Sequence, residues 1–307
     1  MEKIERLRAA LAGREVDRPP FAIWYHFGTQ HAPPERTAEA HLEFFQVYDL
    51  DLLKVMNDYE YPMPKGLEAM ASPAELTRLA LFREIPPPMA NQLKVVEIIS
   101  GALRGQALFV DTVFNAWSTL RRNLAKEAMP RLMADFPEEL EAALGIVNGN
   151  LIRYALASLE RGAAGIFLSV PATAETVTEE QYGRFMRPFD LELLQAIDGR
   201  GELNILHAHG ARVYFDRLLD YPVQALSWAD RNGGPSISQA RRKIPLTLMA
   251  GLDHEKFPNW SIRAIRDQAA EALAQAGRTK FILAPGCSVP TYTFPSLIRA
   301  ARQAAGK

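Results

Sequence analysis

The stretch LNILHAHGARVYF, residues 203–215, opens on a short apolar run and closes it with two histidines one residue apart. On a helix, side chains two positions apart diverge. On a strand they share a face. A brief apolar run ending in glycine reads as a buried strand, so LNILHAHG (203–210) presents His207 and His209 together at its C-terminal end. Seven other segments have the same character: PPFAIWYH (19–26), DLLKVM (51–56), QALFVDTVF (106–114), AAGIFLSV (163–170), PVQALSW (222–228), PLTLMAGLD (245–253) and KFILAPGCS (280–288). Most are separated by helical patterns: TAEAHLEFFQVY, the stretch from Pro137 to Arg161, TEEQYGRFMRPFDLELLQAI, ARVYFDRLLDY, and SIRAIRDQAAEALAQAG, whose Gly277 suits a helix C-terminus. Strands alternating with helices in this number are what an α/β chain needs to close a (β/α)8 TIM barrel. A doubly wound open sheet is the alternative, but WYHFGTQ follows the first strand where a Gly-rich phosphate loop would stand. Residues 1–307 read as a single domain, with YPMPKG (61–66) and the proline cluster IPPPM (85–89) of EIPPPM in a long excursion between the second and third strands.

Composition narrows the function classes. The chain has 307 residues, 48% of them hydrophobic, enough for a substantial core, and 35 basic residues balance 36 acidic ones for a net charge of -1. That balance gives no general electrostatic case for nucleic acid or an anionic membrane, and Arg241, Arg242 and Lys243 read as a solvated helix end. MEKIERLRAALAGREVDRPP alternates charge with apolar residues and lacks a signal-peptide pattern. Cys287 is the only cysteine, so no internal disulfide can form and a cytoplasmic setting is expected. The oligomeric state is not encoded in any pattern found.

In a (β/α)8 barrel the chemistry sits at the C-terminal ends of the strands. Those ends carry Trp24, Tyr25 and His26; Asn57 and Asp58; His207 and His209; Trp228 and Asp230; Asp253; and Cys287. Acids and imidazoles are costly to bury unpaired, so their gathering at one rim suggests a site. His207, His209 and Cys287 form the strongest constellation. Two imidazoles and one thiolate can bind Zn2+ and leave a fourth tetrahedral position open, the pattern of a catalytic zinc. The competing reading has His207 packed in the barrel, His209 bonded to a carboxylate and Cys287 an inert small hydrophobe. Asp58, Tyr25 and Asp230 are candidate catalytic residues that could orient substrate, and each could equally be a helix cap or rim hydrogen bond. Trp24, Trp117 and Trp228 could line an apolar pocket or pack in the core.

Across nearly its whole length the chain resembles the uroporphyrinogen decarboxylase superfamily. The resemblance is carried by VDRPPFAIW, LDLLKVMND, VPATAETVTEEQYGRFMRPFDLELLQAI, LHAHG and FILAPGCSVPTYTFPSLIRAARQA. It is nearest to the zinc-dependent methyltransferases acting between methylated corrinoid proteins and thiols such as coenzyme M, in which the corresponding strands carry H-x-C-G and A-P-G-C. Here the first is His207-Ala208-His209-Gly210 and the second Ala284-Pro285-Gly286-Cys287. The resemblance thus implies zinc held by His207, His209 and Cys287, with one cysteine replaced by His209. It also implies a small-molecule thiol, a corrinoid methyl donor and a corrinoid protein as partner. Replacing one thiolate by a neutral imidazole makes the site one unit more positive, hence a stronger Lewis acid whose bound thiolate is a weaker nucleophile.

The decarboxylase branch of the superfamily implies a different substrate, a tetrapyrrole whose pyrrole nitrogens meet the aspartate matched by Asp58. Its first strand is followed by R-Q-A-G-R, which binds substrate carboxylates. This chain has WYHFGTQ, with Tyr25 and Thr29 near the arginine positions, and Cys287 where that branch usually carries histidine. Arg36, Arg121 and Arg122 could compensate only by pointing inward. A corrinoid:thiol methyltransferase, a porphyrinogen-type decarboxylase and a non-catalytic barrel are therefore the three expectations.

Overall fold

Seven of the eight apolar runs form parallel strands in the computed structural model, which describes residues 1–306. They are β1 (Leu52–Val55), β2 (Leu108–Phe114), β3 (Gly165–Val170), β4 (Ile205–Ala208), β5 (Ala225–Trp228), β6 (Thr247–Leu252) and β7 (Phe281–Pro285). Each pairs in parallel with the next, in the order β1-β2-β3-β4-β5-β6-β7. All seven are buried along their whole length except for the half-buried last residue of β2, Phe114, as parallel strands covered on both faces must be. Alternation then sorts the side chains. Leu52, Met56, Phe167, Ile205 and Ala225 pack with Trp24 inside the barrel, whereas Leu53, Val55, Leu168, Leu206 and Leu226 pack outward against the helices.

The eighth expected strand, 19–26, is corrected by the structure: only Phe21 makes a bridge, to Leu283. Pro19 and Pro20 have no N–H to give, and the Phe21 N–H donates to the Asp51 carboxylate at 2.9 Å instead of to a ladder. The segment still closes the ring. On one side the Ala22 N–H donates to the Leu283 carbonyl (3.1 Å) and the Leu283 N–H to that of Pro20 (2.9 Å); on the other the Asp51 N–H donates to the Phe21 carbonyl (2.9 Å). Arg6 and Arg18 both pair with Asp51, at 2.8 and 2.5 Å, so the opening helix Lys3–Leu11 is tied to the same seam.

Two helical expectations also need correction. ARVYFDRLLDY forms only a 3-10 turn, Phe215–Leu218, because tertiary hydrogen bonds capture its start: the Tyr214 N–H donates to Ala172 (2.8 Å) and its hydroxyl to the Val177 carbonyl (2.7 Å). The TEEQ stretch is two helices, Glu179–Phe185 and Arg187–Ala196, broken at Met186 ahead of Pro188. The excursion after β1 ends where the EIPPPM prolines begin the helix Pro87–Leu103, prolines being suited to a first turn. No helix among the described residues is long and apolar enough to cross a membrane.

Two predictions follow from buried carboxylates. Asp51→Asn removes the buried carboxylate that Arg6 and Arg18 share and leaves Arg6 only the more exposed Asp17, so chemical denaturation should show a loss of about 3–5 kcal/mol. Asp190 is fully buried between Asn115 and Tyr221, and burial pushes its pKa up to about 7. The folded state therefore holds a proton that the unfolded chain has released, and stability should fall as pH rises from about 4 to about 7. Asp190→Asn should remove that slope in pH-dependent melts.

Candidate metal centre

The strand register assembles the site. On β4, His207 follows Ile205 on the inner face, and its register partner across the ladder to β5 is Ser227. His207 Nδ1 lies 3.1 Å from Ser227 Oγ, which orients the ring. His207 Nε2, on the opposite edge, is buried and has no partner. His209 stands just beyond the end of β4 with its side chain at the barrel mouth, and its Nδ1 is 3.4 Å from Cys287 Sγ. The ligand atoms of His207, His209 and Cys287 all lie within 4.8 Å of one another.

Glycines set both ends of this arrangement. Gly210, directly after His209, turns the chain with φ +98°, and a Cβ there would come within 2.9 Å of the Thr173 side chain. Gly286 lets the chain before Cys287 pass Ala229 so closely that a Cβ would lie 2.6 Å from its Cα.

The site's electrostatics favour a thiolate. Burial pushes the Cys287 thiol up, but the neighbouring His207 and His209 imidazoles outweigh it and hold it well below the ordinary thiol value. His209 is raised in return, chiefly by its hydrogen bond with Cys287, whereas burial lowers His207 despite the same thiolate. His207 thus offers a neutral imidazole nitrogen, His209 a nitrogen facing sulfur, and Cys287 an ionised sulfur. Tetrahedral zinc ligands at about 2.0–2.3 Å from the ion lie roughly 3.5 Å apart, so this donor set fits zinc with a small contraction.

The three side chains face a cavity of about 320 Å³ whose walls include Trp24, Lys54, Phe167, Trp117 and Arg122. A second hollow of about 340 Å³ shares His26, Phe114 and Arg122 with it and contains Asp58 and Tyr154. Asp58 is thus near the centre but outside the metal cluster. It accepts from His26 Nδ1 at 2.6 Å, and although burial pushes it up, His26 and the Lys54 charge hold it below the usual carboxylate range.

Tyr25 and Asp230 do not join the site. Extended chain alternates faces, so Trp24 and His26 line the cavity while Tyr25 turns outward onto Phe44 and Phe27, its hydroxyl 3.4 Å from the Thr293 carbonyl. Asp230 is buried beside Arg231 and accepts the Gly251 N–H at 2.9 Å, a structural role. Asp253 likewise caps its own turn through the Glu255 and Lys256 amides. Trp24 and Trp117 line the cavity, whereas Trp228 packs in the outer core with its Nε1 donating to Pro235. Of the arginines, Arg36 pairs with Glu39 on the surface, but Arg121 and Arg122 do face the cavity, at its mouth. Ser227 and Lys54 were missed in the sequence, whereas His26 was read there as one of the polar residues at the rim. The register of β4 against β5 and the alternation Leu52, Lys54, Met56 are the signals that could have found the first two.

Residues 53–307 match the family described as uroporphyrinogen decarboxylase (URO-D). The chain belongs to that family. A comparison with curated proteins gives no match. Among solved structures, a methyltransferase from Methanosarcina mazei superposes with a TM-score of 0.82 at 19% identity, covering 99% of this chain and 98% of the other. A B12-independent methionine synthase from Shewanella sp. W3-18-1 gives 0.61 at 10% identity, covering 93% and 92%. At these identities the likeness establishes the fold, a TIM-barrel architecture shared along the full URO-D chain, with its eighth stave here drawn by backbone hydrogen bonds instead of a regular ladder.

Because Ser227 alone fixes the His207 ring edge opposite the orphaned Nε2, Ser227→Ala should weaken zinc binding by about 10–100-fold with little loss of melting temperature. Competition against a zinc-sensitive dye measures it; unchanged affinity would show that the hydroxyl does not orient the ligand.

Proposed function

We propose that this URO-D family protein is a zinc-dependent methyltransferase that activates a small thiol and delivers a methyl group to it, with a corrinoid as donor. One observation carries the reading: three donor atoms converge within 4.8 Å, one of them a buried imidazole nitrogen without any partner. A packed core histidine would have found a partner for that atom. The Methanosarcina neighbour, itself named a methyltransferase, supports the same reading.

The chain's residues divide the work. His207 on β4, His209 just after it and Cys287 just after β7 would hold the ion together, leaving one position toward the cavity. Zinc bound there supplies Lewis acidity that lowers the pKa of a bound thiol so that it reacts as thiolate near neutral pH. Ser227 keeps His207 in one orientation. Trp24, edge-on to His207 at 6.3 Å between ring centres, and Phe167, tilted against it at 5.1 Å, wall the inner side. His26 and Asp58, hydrogen-bonded at 2.6 Å, stand at the junction with the second hollow, where a methyl donor would enter.

The decarboxylase alternative is less well supported. A porphyrinogen with many carboxylates needs several guanidinium partners, and only Arg121 and Arg122 face the cavity. A hollow of about 320 Å³ also lies at the lower end of ligand sites, which suits a small acceptor better than a whole macrocycle.

Protein purified without chelators should contain close to one zinc per chain by elemental analysis, and Cys287→Ser should lose most of it. Methyl transfer from methylcobalamin to a thiol should fall at least about tenfold in that variant. Equal metal content in both proteins, or none in either, overturns the reading. Since Cys287 raises the His209 pKa, protons compete directly with the ion, and zinc occupancy should fall as the pH is lowered from neutrality. His209→Cys should retain zinc and make the bound thiolate more nucleophilic toward the methyl donor. Coproporphyrinogen should not accumulate at an appreciable rate from uroporphyrinogen in an anaerobic assay.

A further inference from the structure

Lys54 is the one charged residue on the inner face of β1, between Leu52 and Met56, and it is only 3% exposed. Its ammonium has three N–H groups to satisfy. Its single hydrogen-bond contact is Met56 Sδ at 3.4 Å, a weak thioether acceptor, and the rest of its surroundings are the rings of Phe167 and Trp24, 4.7 and 5.5 Å away. Among the described residues no carboxylate or carbonyl lies within hydrogen-bonding distance of it. Burial lowers its pKa to about 7, against the opposing charges of Cys287, Asp58 and Asp111. Those three are committed elsewhere: Cys287 to His209, Asp58 to His26, and Asp111 to Gln92, Tyr154 and Ser158.

Apart from the Cys287 sulfur, the charged side chains that line the cavity are cationic. Lys54 opens onto the cavity that the metal-binding side chains face, and Arg121 and Arg122 stand exposed at its mouth with no carboxylate partner among the described residues. Arg122 lies over Phe114, its guanidinium carbon 4.4 Å from the ring centre. No aspartate or glutamate lines this cavity. A low-dielectric hollow with cations at its floor and rim concentrates anions. An unpartnered buried amine is costly unless something supplies the missing acceptor.

We propose that Lys54 anchors the anionic head group, a carboxylate or sulfonate, of the small ligand that this cavity admits, and that Arg121 and Arg122 draw the anion in. This deepens the functional reading given above and rests on it in naming the ligand a thiol: the acceptor would be an acidic thiol. The anion site itself requires neither zinc nor sulfur. Lys54 is thus a specificity-determining residue, and its distance from the reacting sulfur would set the length of the acceptor.

Binding can be read from cavity tryptophan fluorescence or calorimetry, since Trp24 and Trp117 line the hollow. With zinc-loaded protein, 3-mercaptopropionate should bind about tenfold or more tightly than the neutral 3-mercaptopropanol, as expected for a charge-assisted hydrogen bond. In metal-free protein, butyrate should likewise outcompete butanol. Lys54→Met should abolish both preferences while neutral thiols bind as before, and Lys54→Arg should restore part of them. Equal binding of charged and neutral probes by the wild-type protein overturns the proposal without recourse to any variant. A preference that survives Lys54→Met but disappears in Arg122→Ala also overturns it, by placing the anion at the mouth. If butyrate is held through Lys54 but thiols show no zinc-dependent gain, the anion site stands and the zinc–thiol reading fails.

Discussion

The Asp51 carboxylate holds the barrel together at the point where its strands fail to do so. Between β7 and β1 there is no regular ladder, because two prolines precede Phe21 and the first donor after them is taken by Asp51. The carboxylate answers with contacts to Arg6, Arg18 and the Phe21 amide, while its own N–H donates to the Phe21 carbonyl. Everything at the opposite end inherits this seam. The stave it fixes runs on through Trp24, whose carbonyl accepts the Val289 N–H two residues beyond Cys287. A charge cluster at one end of the barrel thereby sets the register of the segment that carries Cys287, a candidate metal ligand, at the other.

At that rim the charges are arranged by depth. Asp51 and its arginines are fully compensated at the floor, and Asp111 is satisfied by three donors behind β2. Inside the cavity the compensation stops. Cys287 is ionised by its two histidines, His207 retains an unused nitrogen, and Lys54 retains unused donors. Native interiors rarely leave such groups unanswered, and their occurrence together is what supports the proposed cation on one wall and anion on the other.

The chemistry of a URO-D chain with this rim differs from both patterns its family suggests. Compared with a decarboxylase it lacks the arginine-rich first loop, and the two arginines that do reach the cavity arise from the π-helical turn Leu120–Ala125 after β2. Compared with a two-cysteine thiol-activating centre it carries one thiolate fewer, so the ion would keep one unit more positive charge. Such a centre over a cation-lined hollow would favour anionic over cationic acceptors on electrostatic grounds alone.

The strands of this barrel were legible in the sequence because buried parallel strands are continuous apolar runs, and seven of eight were found to within two or three residues at each end. The pair His207 and His209 was legible for the same reason: once 203–210 is a strand, the period of two places both on one side. Cys287 was legible as the polar end of the apolar run 280–288, and the A-P-G-C ending added a resemblance to zinc-binding relatives. Tyr25 and Asp230 were misplaced because a rim position identifies a height on the barrel but not the direction of a side chain. That direction depends on which neighbours take the hydrogen bonds, as Gly251 does for Asp230. The sequence by itself determined which residues are strand and which polar groups lie near the mouth, since both depend on local pattern. Only the tertiary structure decided that the first stave is sealed by Asp51, that Ser227 steadies His207, and that Lys54 faces the cavity without a partner, because each is a contact between residues that nothing in the chain's local periodicity relates.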